Sequence, residues 1–280
     1  MQYVRSGRLF LLLTLGLLGL GCQSKQPGPA PSVSAPPPAS PTPAGGRLVV
    51  DYGVASELYR PLRTQLMQSR MLDTVVAGLN DTIRVPENLV VATSECGEPV
   101  AYYRPEARRV TLCYELLDVL TRRYGRMEGS DLLIAGTFGF VLLHELGHAM
   151  VHVLDIPVTG REEDAADQFA TLLMLREGAV GDSLAFAVAT MFAQQAESVT
   201  FEDLGFADEH GLDLQRVYNI LCWIHGRDPE RYPEVIAEGW LRPGRAERCP
   251  AEFDRIARSW RRLIAPHLKV VSSDGPVPYP

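Results

Sequence analysis

Ile134-Ala135-Gly136-Thr137-Phe138-Gly139-Phe140-Val141-Leu142-Leu143 runs without a charge into His144-Glu145-Leu146-Gly147-His148. Continuous apolar character over such a length predicts a helix buried nearly all round, from about Leu132 to Leu154. Four residues advance a helix by about 400°, so His144 and His148 leave one face a turn apart, with Glu145 at its edge. Polar side chains placed in an apolar helix need partners. Two imidazoles on one face can share a metal ion, and a carboxylate beside them can take a proton from a metal-bound water. His152 continues the row. Its backbone lies about 12 Å along the axis from His144, too far to meet the same ion, so it reads as a surface or supporting histidine.

A catalytic zinc site takes a third protein ligand and keeps one position open. Candidates stand just downstream, in Gly160-Arg161-Glu162-Glu163-Asp164-Ala165-Ala166-Asp167-Gln168-Phe169-Ala170. Pro157 and Gly160 end the first helix, acids crowd the next N-terminus, and Ala166, Phe169, Ala170 and Leu173 form an apolar stripe, which predicts a second helix over 163–176. Glu163 and Asp167 share a face of it. Glu163 is the expected metal ligand, with Glu162 and Asp164 as alternatives, and Asp167 is placed to accept the outer N–H of a metal-bound histidine. Imidazole and carboxylate together suit zinc best, although they accept other divalent ions.

His-Glu-x-x-His followed by Glu-x-x-x-Asp resembles the gluzincin group of zinc peptidases. The run from Glu163 to Ala170 is similar to an uncharacterised bacterial metallopeptidase family, and the resemblance covers most of residues 47 to 265. A metzincin pattern wants Gly and His where this chain has Val151 and Leu154. His210, six residues before Arg216, is similar to a motif of the HtpX-like and CAAX-processing membrane gluzincins, although Glu209 and Gly211 replace the Thr and Pro of that motif. The implied role of His210, and less directly of Tyr218, is to steady the oxyanion of a tetrahedral intermediate.

The chain opens with Arg5 and Arg8, an apolar run from Leu9 to Leu20, and Gly21-Cys22. A dozen apolar residues are too few for a bilayer crossing of roughly 20, so residues 1–21 read as a signal peptide. Gly21-Cys22 resembles a bacterial lipobox, with Leu18 one place early and Leu20 one place late. That resemblance makes Cys22 the lipid-bearing residue, and Gln23 after it the outer-membrane type of sorting signal. Residues 22–46, mostly Pro, Ala, Ser and Gly beyond Gln26, read as an extended tether. The expected location is the cell envelope, with membrane contact through the lipid only.

Residues 47–280 are long enough for one domain with its own core. Four cysteines remain beyond Cys22, namely Cys96, Cys113, Cys222 and Cys249. An even count in an exported chain suggests two disulfides. Nearest-in-sequence pairing joins Cys96 to Cys113 and Cys222 to Cys249, one of three connectivities. No Cys-x-x-Cys spacing offers a structural zinc site. The net charge of −7 becomes −9 once Arg5 and Arg8 leave with the leader, and an acidic domain without a basic stripe is a poor nucleic-acid binder.

Strands are expected at 47–52, 88–93, 100–103 and 109–113, with one long helix from Ser56 to Leu79 between the first two. Further helices are expected over 114–123, 132–154, 163–176, 183–196, 214–224 and 253–263. A small sheet followed by helices gives an α+β class, and the resemblance makes it zincin-like. One of the strands 100–104 or 109–113 could be an edge that receives an extended peptide. These observations together describe a zinc metallopeptidase of the envelope acting on a peptide or protein, with His144, His148 and Glu163 on the metal and Glu145 as base. Rivals are a non-catalytic lipoprotein whose metal site is structural and whose helical half binds a partner, and zinc-dependent hydrolysis of a non-peptide amide.

Overall fold

The computed structural model describes residues 45–197, 199–200 and 204–269. The signal peptide, Cys22 and nearly all of the tether lie outside the described residues. Four strands, β1 (Leu48–Tyr52), β2 (Leu89–Ser94), β3 (Ala101–Arg104) and β4 (Arg109–Cys113), form one sheet in the order β1-β2-β4-β3. β1, β2 and β4 run parallel, while β3 pairs antiparallel with β4 and forms one edge, with β1 at the other. This removes β4 as a candidate edge, because it is hydrogen-bonded on both sides. The remaining elements are helical, so the α+β class holds.

The single helix expected from Ser56 to Leu79 is two. α1 (Arg60–Ser69) and α2 (Met71–Thr82) are separated at Arg70, which takes a left-handed conformation with φ 55°. Leu66 of α1 and Leu72, Val76 and Leu79 of α2 are all buried. On one straight helix Leu66 and Leu72 would lie about 120° apart, so the break lets both apolar faces reach the core.

α3 (Tyr114–Tyr124) follows β4 directly, and α4 (Ser130–Val153) carries the two-histidine motif through the middle of the fold. α4 is long and apolar enough to cross a membrane, yet 72% of its most apolar window is buried by protein, which makes it a core helix. It packs on α5 (Glu162–Arg176), α6 (Gly178–Ala196), α3 and β3. Gly147 is essential to this packing: a Cβ there would lie 2.9 Å from Ala166 Cα, so α4 and α5 meet backbone to backbone. That close crossing sets the first turn of α5 against the two histidines.

α7 (Asp213–Arg227) and α10 (Cys249–Ile264) complete the helical half, with the short α8 (Glu234–Ala237) and α9 (Pro243–Ala246) between them. α10 buries Phe253, Ala257, Trp260 and Ile264, an interval that recurs at helical spacing. It begins at Cys249, four residues earlier than its apolar stripe suggests, because Pro250 stands in its first turn, where proline fits. Two disulfides join Cys96 to Cys113 and Cys222 to Cys249. The first ties the loop that feeds β3 to the end of β4, and the second ties α7 to α10.

Candidate metal centre

α4 supplies His144, Glu145 and His148, and α5 supplies Glu162, Glu163 and Asp167. The segment before α7 supplies His210, and β3 forms a wall. All but Asp167, which lies buried behind His144, line a cavity of about 680 Å³. Its centre is a triangle of donor atoms. His144 Nε2 lies 3.0 Å from Glu163 Oε2 and 3.2 Å from His148 Nε2, and His148 Nε2 lies 3.4 Å from Glu163 Oε2.

The outer nitrogens are both engaged by carboxylates. His144 Nδ1 donates to Asp167 at 2.8 Å, and His148 Nδ1 donates to Glu162 at 2.7 Å. With Nδ1 carrying the proton, each neutral ring turns a lone pair from Nε2 toward the other and toward an anionic oxygen. Such a triangle repels itself unless a cation sits in it. Two protons can supply that charge, and so can a metal. The three separations match the roughly 3.3 Å edge of a tetrahedron whose bonds are about 2.0 to 2.1 Å, the bond lengths of zinc to nitrogen and carboxylate oxygen. The residues therefore fit a divalent metal, with His144, His148 and Glu163 as its holders. Cys96, Cys113 and Glu115 also lie close together, but both sulfurs are spent in a disulfide.

The electrostatics follow the same arrangement. Burial pushes Glu163 up, yet the bonds from His144, His148 and His210 outweigh it and hold the carboxyl far below the usual range. Burial works against the charged form of His148, but Glu163 and Glu162 overcome it and push the imidazole up to about 9. His144 is raised likewise, by Asp167 and Glu163 against its own burial. Glu145 differs. Burial raises its carboxyl, and neither the nearby imidazoles nor the backbone N–H of Tyr103 cancels the effect. A carboxylate with raised proton affinity beside the donor triangle has the character of a general base.

Asp167 is the best-held acid of the site. Besides His144 it accepts Arg216 Nε at 2.8 Å and Arg216 Nη2 at 2.7 Å. Burial alone would raise its carboxyl, and these partners bring it below the ordinary value. The guanidinium in turn lies over the Phe192 ring at 4.0 Å. Sequence reasoning gave Arg216 no role. The available signal was Asp167 itself, since a buried carboxylate with two oxygens has more acceptor capacity than one imidazole N–H fills.

His210 reaches the site. Its Nε2 is 2.8 Å from Glu163 Oε2, and its Nδ1 is 3.1 Å from Asp208. The bond to Glu163 raises its pKa despite partial burial. Tyr218 does not join it: this side chain is exposed and lines a neighbouring cavity along α7. Glu162, an alternative ligand on spacing alone, faces His148 Nδ1 instead, because consecutive helical residues point about 100° apart and Glu163 already faces the triangle. Asp164 turns toward the α7 cavity. His152 accepts or donates a 2.8 Å bond with the Tyr103 hydroxyl, fastening β3 to α4.

The edge strand is aligned for use. Cys113 N–H donates to Val100 C=O at 3.1 Å, and the β3–β4 register continues from there. Alternation along an antiparallel ladder then turns the backbone groups of Ala101 and Tyr103 away from β4, toward the cavity side. Both residues line that cavity.

Residues 53–264 match a family model whose description reads "Putative metallopeptidase". The chain belongs to that family. Membership in this metallopeptidase family implies a metal, and His144, His148 and Glu163 are the residues that could hold it. No curated protein and no solved structure matches the chain.

Proposed function

We propose that this protein is a zinc-dependent peptidase of the gluzincin type, exported to the bacterial cell envelope and anchored there through Cys22. The observation that carries the reading is the donor triangle of His144, His148 and Glu163 with Glu145 at its side. Two carboxylates fixing the outer ring nitrogens add to it, since second partners of this kind orient metal-binding histidines. Bound zinc would lower the pKa of its water toward roughly 7 and polarise the scissile carbonyl.

The chain's own residues divide the remaining work. Glu145, held by the Tyr103 N–H and raised by burial, takes the proton of the attacking water and returns it to the leaving amine. Asp167 and Glu162 keep His144 and His148 in one tautomer. His210, whose Nε2 lies 2.8 Å from Glu163 Oε2, stands beside the centre to offer an N–H to the carbonyl oxygen as charge develops. An extended peptide pairs with the backbone of Ala101 and the carbonyl of Tyr103 at the free edge of β3, in the manner of an added strand, while the Tyr103 N–H serves Glu145. The leader, Gly21-Cys22 and the Pro/Ala-rich tether support export and anchoring, and the two disulfides suit an oxidising compartment.

Metal stoichiometry measured on residues 45–280 tests the centre. One zinc per chain is expected in the wild type and weakened or lost binding in Glu163→Ala. A wild type that takes up no zinc after reconstitution would sink the reading and favour a partner-binding lipoprotein.

A further inference from the structure

A second cavity, of about 600 Å³, lies along α7 beside the metal centre. Arg161 lines both cavities, and Gly211, next to His210, opens onto the second. The two spaces are therefore neighbours along the path a bound peptide would take past His210. The charge of the second cavity runs against that of the whole chain, whose net charge is −7.

Four arginines line it, and they fall into two pairs. Arg216 is neutralised by Asp167, and Arg245 is neutralised by Glu252 at 2.7 Å. Arg161 and Arg242 have no carboxylate within 4.0 Å among the described residues, and both are exposed. Arg161 is steadied by a bond from Nη1 to the His210 carbonyl at 3.3 Å, which aims its charge at the boundary between the cavities. Asp164 is the single carboxylate of the lining. The catalytic cavity is the reverse, with Glu145, Glu162, Glu163 and Glu209 around its two ligand imidazoles. Two guanidinium groups without a carboxylate partner, against the one carboxylate of Asp164, make the second cavity attractive to a peptide carboxylate.

We propose that the α7 cavity is a specificity subsite that takes a carboxylate of the peptide substrate, paired with Arg161 and Arg242. This rests on the peptidase reading and adds a substrate class to it: peptides with an anionic group on the His210 side of the scissile bond. Guanidinium binds carboxylate in a planar, two-pronged manner that suits such selection. The carboxylate can come from an Asp or Glu side chain or from the free C-terminus of a short product-like peptide.

The test uses fluorescent peptides in matched sets, Glu against Gln, each with a free or an amidated C-terminus. Binding is read by anisotropy on zinc-loaded Glu145→Gln protein, and cleavage is read separately on the wild type. Glu peptides, or free C-termini, are expected to bind about fivefold tighter than their neutral counterparts, an effect that shrinks as salt rises. Arg242→Gln should bring the ratio close to one, and Arg242→Lys should retain part of it, which separates charge from loss of fold. The set showing the preference identifies the source, side chain or terminus. Equal binding of charged and neutral peptides, a preference that survives Arg242→Gln with Arg161→Gln, or no binding of any peptide would overturn the inference. Preference in binding without any cleavage by the wild type would sink the peptidase reading and leave the anionic subsite standing. Cleavage without charge preference would do the opposite.

Discussion

Two buried aspartates of this fold meet arginines, and only one of them serves the metal centre. Asp182 on α6 is fully buried, with the Arg227 guanidinium at 2.7 Å, Arg231 at 3.4 Å and the Tyr232 hydroxyl at 2.9 Å. Every one of those partners is structural, and together they fasten the end of α7 to α6. Asp167 on α5 has one arginine, Arg216, and gives its remaining capacity to His144. The difference teaches what distinguishes a structural acid from a site acid. The charge of Asp182 is consumed where it stands, whereas Asp167 passes its orientation to a ring whose other nitrogen faces a cavity.

The contrast can be broken or sharpened by substitution. Glu145→Ala, which touches neither aspartate, should lower turnover roughly a thousandfold with zinc content unchanged, because the base is lost and the ligands are not. Peptide hydrolysis assayed beside metal analysis decides this; retained activity removes Glu145 from its role. Asp182→Ala strands two guanidinia and should cost about 3 kcal/mol of folding stability in urea, while the folded fraction binds zinc as before. Weakened zinc affinity in that variant would erase the contrast. Asp167→Asn should lower zinc affinity by roughly 10- to 100-fold, since the charge is lost and an NH2 group replaces one of the two oxygens that hold His144 and Arg216. Titration against a chelator of known affinity measures it, and an unchanged constant would make Asp167 a second Asp182.

The smallest effect concerns pH. In the metal-free protein His148 is raised from 6.5 to about 9. A raised imidazole contributes stability that is complete below about 6.5 and lost as pH climbs through about 9. Metal-free protein should therefore unfold more readily in urea at about pH 9 than at about pH 6. Zinc needs the same nitrogens unprotonated, so its affinity should rise over that window. Curves that fall together with and without zinc would separate His148 from the metal.

Much of this site could be read from the chain because it is local. His144 and His148 share one helical face with Glu145 at its edge, and Glu163 and Asp167 share a face of the next helix, so period grouped each set; the need of a two-histidine site for a third ligand, not period, joined them, and it left Glu162 and Asp164 open. His210 required resemblance to other proteins, since its distance along the chain carries no geometric information. The bond of Arg216 to Asp167 and that of the Tyr103 N–H to Glu145 were not legible for a related reason: the first spans 49 residues, and the second comes from an edge strand. An edge is a property of strand order, which no single strand declares. The turn at Arg70 was equally silent, because the apolar spacing from Leu58 to Leu79 is compatible with one helix until the core beneath it is known.

The closeness of Glu163 to His144 along the chain has a consequence for assembly. Bringing the three donors together closes a loop of 19 positions, whereas the clamp of Arg216 on Asp167 closes one of 49. Loop entropy grows only with the logarithm of length, so the longer closure costs about 0.8 kcal/mol more. The α4–α5 hairpin thus holds the whole donor set within one short stretch of chain, with no ligand drawn from the C-terminal half. What α7 adds, through Arg216 on Asp167, is a clamp on the imidazole of His144.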